Sequence, residues 1–417
     1  MTLFFGWSVR HVLLGNYRFG AFGEAMVSVA TFPSLAKKVV LEFTRNGFDQ
    51  VIEDRVSSLD GFKNSGMLQA GVLDDKGYLI FSSYDNVKKK SSVQLLRIHD
   101  QQIIKVWTPD MDLIWARVKS QCRKSNARII HPLLLRDGGL AFSMDSLVKI
   151  GPTSSVEWVS NCMSTHSVEQ DAEGNIWISS RMQPSSYEGV LSHLDDAIAQ
   201  ISPEGNVLFK KSVAKILYEN GYRGLLAGGF RGRPQEDPIH LNEVQPAVMD
   251  STYWKKGDVL LSMKHRSTVA LYRPSTDKII WLKTGPWMNQ HSVDFVSDHE
   301  ISVFGNNVIS DATGDVLMDG HNNVYLYDFA NGSVSTPYDK AMSSLAVRTK
   351  SSGRSKVLLN GEVFIEEANY GRLLRLAPDR AIWEFVPRLG NNQLAMPIYS
   401  RYLTEEEVRH VLITSYP

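Results

Sequence analysis

Four histidines stand at the same register in four successive segments of the chain. His131, His166, His240 and His291 each come directly before a short apolar run, in the sequences HPLLL, THSV, IHLNEV and QHSV. An imidazole has an ordinary pKa of about 6.5 and is largely neutral at pH 7, so it can act as a nucleophile or as a general acid or base. The alternative is that each ring only satisfies a local hydrogen bond where a strand begins.

Three basic residues lie in the same repeating context. Lys264 and Arg266 follow the apolar run GDVLLSM, and Arg181 ends the run WISSR. We expect Lys264 and Arg266 to continue one strand, where residues two apart point the same way. Neutral imidazoles beside fixed positive charge can bind a sulfate or phosphate group. They are better suited still to transferring such a group, because fixed positive charge stabilises its oxygens in a loose transition state. The alternative is that these cations are ordinary solvated strand ends.

The elements that must position these residues form a repeat. From about residue 65 onward, an apolar run, a turn containing Gly, and further short strands recur, and the last strand often ends in Trp. Turn sequences such as DDKG, DAEG, SPEG and FANG are typical of hairpins. Six copies can be recognised, beginning at AGVLDDKG, PLLLRDGG, HSVEQDAEG, NEVQPAVMD, HSVDFVSD and RSKVLLNG.

Four short strands per copy in a fixed order predict an all-β, six-bladed β-propeller. The innermost strands of a propeller line a central channel, so residues at equal register in successive blades converge on one axis. We therefore expect the four histidines to lie together near one end of that channel. Insertions around Leu217–Pro238 and Asp311–His321 are assigned to loops. The C-terminal TEEEVRHVL, with Thr404 as N-cap, predicts a short closing helix.

Composition excludes several classes of protein. Among 417 residues, 45 Lys and Arg balance 45 Asp and Glu, so the chain lacks the positive charge of a nucleic-acid binder. The apolar fraction of 43% is enough for a large core. Two cysteines, Cys122 and Cys162, exclude a disulfide scaffold and a multi-cysteine metal site, although they could form one bridge. No P-loop pattern is present, and Gly228-Gly229 lacks the strand–helix context of a dinucleotide site.

The N-terminal region, residues 1–64, is assigned as a lead-in segment before the propeller at residues 65–417. It holds two apolar stretches, Leu3–Leu14 and Ala21–Phe32, each interrupted by charge and shorter than the roughly 18 residues that a membrane span needs. No secretory signal pattern is recognisable. Either the stretches are amphipathic segments that pack on the domain, or residues 1–40 form a membrane anchor, for which Lys37-Lys38 would suit an interfacial helix.

The stretch from His240 to Asn307 resembles the core of the arylsulfotransferase family. The resemblance rests on an ordered set of family motifs, namely H-x-N, an L-S-x-R-type strand, I-x-W, Q-H and a strand ending in F-D-N. The segment HSVEQDAEGNIW at His166 resembles the family's earlier histidine-containing blade. The likeness covers roughly residues 125–310, and the ordered set of motifs is more specific than any one of them.

The resemblance implies a six-bladed propeller that transfers a sulfuryl group from an aryl sulfate to a phenolic or hydroxyl acceptor, without PAPS or another cofactor. The transiently sulfated histidine of Q-H carries over to His291. His240 and His166 carry over as sulfate-binding and acid/base partners. We expect sulfate contacts from a wider set of residues, namely Lys264, Arg266, Arg181, Asn242 and His131.

Two positions depart from the family pattern. The strand arginine of the family falls at Lys264, which lacks the bidentate fork of a guanidinium, although Arg266 is two residues further on. The F-D-N motif reads Phe304-Gly305-Asn306, which removes a carboxylate.

A second class of function is open on this sequence. The alternative to the enzyme is a non-catalytic propeller that binds an anionic ligand, such as a sulfated or acidic glycan. A metal site is disfavoured because no Cys and few carboxylates share the register of the histidines, and nearby cations would repel the ion. The family resemblance also favours an extracytoplasmic location. The pattern specifies no oligomeric state.

Overall fold

The chain is described by a computed structural model, and its two compact units are residues 1–51 and 52–417. The structure describes residues 2–13, 20–23, 25–27, 29–30, 58–64, 67–69, 72–85, 88, 90–118, 128–186, 194–227, 237–311, 314–389, 392, 394–395 and 397–415. In the first unit, helix α1 spans Thr2–Leu13, and residues 20–23, 25–27 and 29–30 are also helical. No helix among the described residues is long and apolar enough to cross a membrane. Lys37-Lys38, Cys122 and Gly228-Gly229 lie outside the described residues.

The second unit contains six antiparallel sheets of four or five strands, which confirms the predicted six-bladed propeller. Each sheet is a blade, and blades 1 to 6 follow the order of the sequence repeats. From the inside of the ring outward their strands are, for blade 1, β29 (Arg401–Leu403), β4 (Tyr78–Asp85), β5 (Lys90–Arg97) and β6 (Gln102–Trp107); for blade 2, β7 (Ile130–Leu134), β8 (Leu140–Ser143), β9 (Asp145–Ile150) and β10 (Val156–Ser164); for blade 3, β11 (Val168–Gln170), β12 (Ile176–Arg181), β13 (Asp196–Ile201) and β14 (Val207–Ser212).

Blades 4 to 6 continue the same arrangement. Their strands are, for blade 4, β15 (Leu241–Pro246), β16 (Val259–Met263), β17 (Thr268–Arg273) and β18 (Lys278–Thr284); for blade 5, β19 (Val293–Phe295), β20 (Glu300–Gly305), β23 (Asn323–Asp328) and β24 (Val334–Ser335); for blade 6, β25 (Arg354–Val357), β26 (Val363–Glu367), β27 (Arg372–Leu376), β28 (Ala381–Val386) and β1 (Gly61–Asn64). The first strands of neighbouring blades pack together, β7 on β11, β11 on β15, and β15 on β19, so these strands line the centre of the ring.

Strands from both ends of the second unit complete the ring. The innermost strand of blade 1 is β29, which pairs with β4 across more than 300 residues of sequence. Strand β1 pairs with β28 as a fifth, outermost strand of blade 6. The unit that contains the propeller therefore includes residues before the predicted boundary at residue 65. The separate segments near that boundary, β2 (Met67–Gln69) and β3 (Val72–Leu73), form a small two-stranded sheet.

Two insertions add structure between the blades. After blade 3, helices α3 (Val213–Glu219) and α4 (Gly224–Ala227) pack into a core cluster with blades 3 and 4. Within blade 5, β21 (Val308–Asp311) and β22 (Gly314–Leu317) form an extra hairpin. The remaining helices are α2 (Met111–Arg117) and α5 (Asp339–Ser344).

The C-terminal helix α6 spans Glu405–Ser415, as predicted. Its first turn is a capping box, because Glu407 N–H donates to Thr404 Oγ1 at 3.3 Å and Thr404 N–H donates to Glu407 Oε2 at 2.7 Å. Buried Val408 and Val411 join the core between blades 1 and 2, so the helix continues directly from the ring-closing strand β29 into the core. Cys162 is a buried free thiol whose Sγ lies 3.2 Å from Ser180 Oγ.

Tryptophans of the outer strands join four of the blades to the next blade. Trp107 of blade 1 donates its indole N–H to Gly138 O of blade 2, and Trp158 of blade 2 donates to Pro203 O of blade 3. Trp281 of blade 4 and Trp383 of blade 6 do the same, donating to Tyr327 Oη and to Asp75 Oδ2. The recurring Trp of the sequence repeat is therefore an inter-blade contact.

Candidate active site

The four histidines lie at the start of four consecutive inner strands, as their register predicts. His131 is the second residue of β7, and His166, His240 and His291 come just before β11, β15 and β19. His131 and His240 share a left-handed backbone conformation with φ of 53°. The His166 and His240 rings are 5.1 Å apart, and the charges of both lower the pKa of His291. The structure therefore brings the histidines together at one end of the channel.

Both ring nitrogens of His291 have partners. Nδ1 lies 2.6 Å from Asn306 Oδ1, and the backbone N–H of Ser352 donates to Nε2 at 2.9 Å. Asn306 Nδ2 donates to Thr349 O and Ser352 O, so its carbonyl oxygen must face the imidazole. The buried ring is therefore held with the proton on Nδ1 and the lone pair on Nε2.

Burial lowers the pKa of His291 well below its ordinary value of 6.5, and the positive charge of Lys264 lowers it further. Burial also lowers the pKa of His166, to about 3, with smaller contributions from His240, Arg181 and Lys264. Both imidazoles are therefore neutral at pH 7, which is the form that can act as a nucleophile.

His240 is held by a carboxylate. Its Nδ1 lies 2.5 Å from Asp237 Oδ2, and its backbone N–H donates to Asp237 Oδ1 at 3.1 Å. The His265 ring lies 4.5 Å from the His240 ring, and Nδ1 of His265 bonds to Asp237 O at 2.7 Å. Burial opposes ionisation of Asp237, but the hydrogen bond and charge of His240, with the charges of His265 and Arg181, lower the pKa of this carboxyl group.

Lys264 and Arg266 do not continue strand β16, and this part of the sequence prediction is wrong. The strand ends at Met263, and Lys264–Arg266 form a 3₁₀ turn. Backbone N–H groups of Lys264 and His265 donate to the carbonyls of His240 and Ile239, so the turn is fixed to the segment that leads into β15. Because residues in such a turn do not alternate, the two cations do not share a strand face.

The charge of Lys264 still reaches the histidines, because it lowers the pKa of both His166 and His291. Arg181 ends β12, lies 3.5 Å from Asp196 Oδ1 through its Nε, and also lowers the pKa of His166. Burial lowers the pKa of Arg266. Two cations, Lys264 and Arg181, are thus in electrostatic contact with the cluster of imidazoles.

The remaining predicted sulfate contacts have different surroundings. Asn242 Nδ2 donates to Gln290 O at 3.3 Å, and its buried Oδ1 has no hydrogen-bond partner among the described residues. His131 is buried and stacks on Tyr399 at 3.6 Å. Burial and the charges of Arg354 and Arg401 lower the pKa of His131 well below 6.5, and neither ring nitrogen bonds to another described residue.

An acidic layer lies three residues further along the same strands. Glu169, Glu243 and Asp294 follow His166, His240 and His291 at this spacing. Glu169 accepts hydrogen bonds from both Arg354 and Arg401, at 2.7 and 2.8 Å. Burial raises the pKa of Glu243 well above its ordinary value and that of Asp294 to about 6.

Beyond the acidic layer is a cavity of about 870 Å³. It is lined by residues further along the inner strands, such as Leu134 and Gln245, and by Arg409 of α6. Glu169 and its buried ion-pair partners Arg354 and Arg401 also line this cavity.

Asp237, Ser352, Tyr399 and the acidic layer were not identified from the sequence. Two signals were available, an Asp three residues before His240 in DPIH and the repeated H-x-x-E or H-x-x-D spacing. Ser352 and Tyr399 carry no such signal, because loops that are distant in sequence bring them to the histidines.

The Asp237–His240–His265 group has the composition of a metal site. One ligand atom from each residue lies within 4.8 Å of the others. In this structure the imidazole nitrogens bond to Asp237 itself, and Lys264 places positive charge beside the group. These contacts fit a hydrogen-bonded cluster better than a divalent ion.

Residues 144–388, more than half of the chain, match the family model described as arylsulfotransferase (ASST). No curated protein is significantly similar to the chain. Solved structures similar to it include a protein of unknown function from Bacteroides caccae, with 11% identity, a TM-score of 0.47, and coverage of 79% of this chain and 99% of that one. TolB from Acinetobacter baumannii has 10% identity, a TM-score of 0.46, and coverage of 79% and 67%.

Proposed function

Because the chain belongs to the arylsulfotransferase family, we propose that it moves a sulfuryl group from an aryl sulfate to a phenolic or hydroxyl acceptor through His291. The observation that carries this proposal is the state of His291. A carbonyl oxygen of Asn306 holds its Nδ1–H, and its neutral Nε2 carries a lone pair beside the charge of Lys264.

In the first step, the Nε2 lone pair attacks the sulfur of the aryl sulfate. The bond from sulfur to the aryl oxygen breaks, and that oxygen leaves with the electron pair. It takes a proton from His240 or His166, whichever of the two rings enters the step protonated on both nitrogens. In the second step, the acceptor oxygen attacks the sulfur, its proton passes to the same histidine, and the N–S electron pair returns to Nε2. The first step thus uses one proton and the second returns it.

The cations act on the transferring group. Charge on the sulfuryl oxygens is spread in a loose transition state, and fixed positive groups stabilise it. The effect of Lys264 and Arg181 on the pKa of the histidines supports this role for the two cations, and we propose Arg266, Asn242 and His131 as further contacts. The backbone N–H of Ser352 donates to Nε2 in this structure. Once the N–S bond forms, the same N–H donates its hydrogen bond to a sulfuryl oxygen instead.

The Gly305 departure has a structural counterpart. A Cβ at position 305 would lie 2.6 Å from the Tyr325 ring and 2.8 Å from Asn307 Oδ1, so this chain has no space for the Asp of the family motif. The tyrosine hydroxyl donates to Asn307 Oδ1 at 3.1 Å. Tyr325 therefore occupies the space that a family carboxylate would need.

One observation favours the second candidate, a propeller that binds a sulfated or acidic glycan without turnover. The lone pair of His291 Nε2 is already engaged by a backbone N–H from a loop that Asn306 fastens at two carbonyls. The immobilised N–H of Ser352 competes with the sulfur for the lone pair of Nε2, and it is equally suited to donating a hydrogen bond to a bound anion.

The deciding experiment offers 4-nitrophenyl sulfate and a phenol acceptor to the wild type, followed by intact-mass analysis for a sulfated histidine. We expect turnover, and we expect His291→Asn to abolish it while the fold remains.

Lys264→Ala should slow transfer by about 10²-fold, and Lys264→Arg should retain or raise activity. Lys256→Ala, which removes an exposed lysine bound to Glu173, is the control. Absence of turnover in the wild type with several aryl sulfates and phenols would favour the glycan-binding propeller.

We also propose an extracytoplasmic location with membrane attachment through residues 1–40. Helix α1 exposes Phe4 and Trp7, and its last turn carries Arg10 and His11, a combination suited to a membrane surface. Deleting residues 1–51, the first compact unit, should release a folded propeller from the membrane fraction. Loss of folding on deletion would show instead that these segments are part of the folded domain.

A further inference from the structure

The channel histidines have unequal partners. Within the described part of the chain, His240 is the only one of the four with a carboxylate oxygen within hydrogen-bond distance of its ring. His291 has the neutral amide oxygen of Asn306, and His131 stacks on Tyr399. A carboxylate favours an imidazole that carries a proton, whereas an amide oxygen only orients a neutral one.

We propose that Asp237 is a positioning residue that holds the proton of His240 on Nδ1 and thereby makes His240, rather than His166, the proton carrier of sulfuryl transfer. This inference rests on the proposed function. His240 enters the first step as an imidazolium, and its Nε2–H delivers a proton to the departing phenolate oxygen. This leaves the neutral Nδ1–H ring, whose Nε2 lone pair receives the proton of the acceptor hydroxyl in the second step. Asp237 exchanges no proton in either step.

The geometry around Asp237 gives it little freedom. Oδ1 accepts the backbone N–H of His240, Oδ2 contacts Nδ1 of the same residue, and the backbone carbonyl accepts from His265. These three contacts fix the carboxylate and the imidazole relative to each other. Pro238, directly after Asp237, restricts the backbone conformation of Asp237 and has its own φ set by the ring.

Other charged groups around the pair do not replace the carboxylate. Arg181, Lys264, His166 and His265 are cationic or neutral, so none of them supplies a negative charge to the His240 ring. Asp196 is near enough for the charges of His240 and Asp237 to act on it, but burial raises its pKa to about 6 and its Oδ2 accepts the N–H of Leu241. Asp237 is therefore the carboxylate that holds the Nδ1 edge of the His240 ring.

The test uses the leaving group as a readout. A proton donor matters most when the departing phenolate is strongly basic, and little when it is stable, as for 4-nitrophenolate. In Asp237→Asn we expect kcat/KM to fall by about 10²-fold for unsubstituted phenyl sulfate and far less for 4-nitrophenyl sulfate. The control is Asp298→Asn, which removes an exposed carboxylate that makes the same type of contact with Nδ1 of His299, at 2.6 Å. An equal loss with both substrates, or no loss with either, would overturn the assignment.

A second measurement is independent of turnover. Nitrogen-15 NMR of the histidine rings, with His240 assigned through His240→Gln, reports which ring nitrogen carries the proton. At a pH where the ring is neutral, we expect the Nδ1–H tautomer in the wild type and a shift towards the Nε2–H tautomer in Asp237→Asn, whose amide can donate to Nδ1. An unchanged tautomer would refute the positioning role even if the wild type transfers sulfate. Absence of turnover in the wild type tests the proposed function alone.

Discussion

At the scale of single residues, the four channel histidines differ in the groups that hold their rings. An amide holds His291, a carboxylate holds His240, an aromatic ring covers His131, and His166 lies against the His240 ring. Four imidazoles at one register therefore do not perform one task. Their neighbours distinguish the buried rings with a lowered pKa, such as His166 and His291, from the His240 ring, which a carboxylate holds.

The neutral state of the His291 and His166 rings predicts how kcat/KM depends on pH in acidic solution. Because burial lowers the pKa of His291 well below 6.5 and that of His166 to about 3, both remain unprotonated in mildly acidic solution. We expect kcat/KM for 4-nitrophenyl sulfate to stay level as pH falls from 8 through 6.5, and to decline only at lower pH. The measurement is initial rates over this range, with circular dichroism at each pH to verify folding. A half-loss of activity near pH 6.5 would contradict the depressed pKa of the nucleophile.

The residues of the site were recognisable from sequence only where they are tied to the repeat. His166, His240 and His291 were found because each precedes an inner strand, whose position the apolar pattern predicts. Asp237 and Ser352 lie in connecting segments, and their approach to the imidazoles depends on tertiary packing. The prediction for Lys264 and Arg266 was wrong because the strand ends at Met263, before both residues, where the backbone turns and bonds to the segment at His240.

At the scale of elements, the outer strands are joined by indole hydrogen bonds. Trp383 at the outer side of blade 6 donates to Asp75 Oδ2, and the same carboxylate accepts from Tyr402 and Gly77. Asp75 thereby joins blade 6 to blade 1. The sequence repeat predicted a recurring Trp, but not that its N–H reaches the next blade, because a pattern within one repeat contains no information on the contact between two.

Replacing Trp383 with Phe tests this contact. The change removes the donor to a buried carboxylate and part of a side chain that is 1% exposed, so we expect a loss of about 2 to 4 kcal/mol in the free energy of unfolding. Urea denaturation followed by circular dichroism measures it. The matched control is Trp281→Phe, whose partner is the hydroxyl of Tyr327 in a half-buried position. We expect a smaller loss there, and equal losses would show that the charged acceptor contributes nothing specific.

At the scale of the whole molecule, the ring is closed where the chain passes from blade 6 to blade 1. Glu366 of β26 accepts the backbone N–H groups of Tyr399 and Ser400, directly before the closing strand β29. Arg401 of that strand then reaches Glu169 of blade 3 and Pro132 O of blade 2. One short segment near the C-terminus thus connects four blades. The six sequence repeats could not predict this closure, because the first repeat contains only residues that precede the second one in the chain, whereas β29 comes from the other end of the propeller.

Glu366 makes this closure sensitive to pH. Burial raises the pKa of the carboxyl group to about 7 from 4.5, although the two backbone N–H donors act in the opposite direction. Between these values the folded protein holds a proton that the unfolded chain has lost. The stabilisation from Glu366 is therefore fully present below about pH 4.5 and is lost as pH rises through about 7.

Glu366→Gln separates this contribution from all other titrating groups. The amide imitates the protonated carboxyl group but accepts from only one of the two backbone N–H groups, so the variant carries a penalty that does not depend on pH. From pH 5 to pH 8, we expect the stability of the wild type to fall relative to the variant by about 2 kcal/mol. Urea denaturation of both proteins at each pH measures the difference, and Glu406→Gln, which removes an exposed carboxylate from α6, provides the matched control. A difference that is constant across this range would mean that Glu366 is already ionised in the folded ring, held by its two backbone donors.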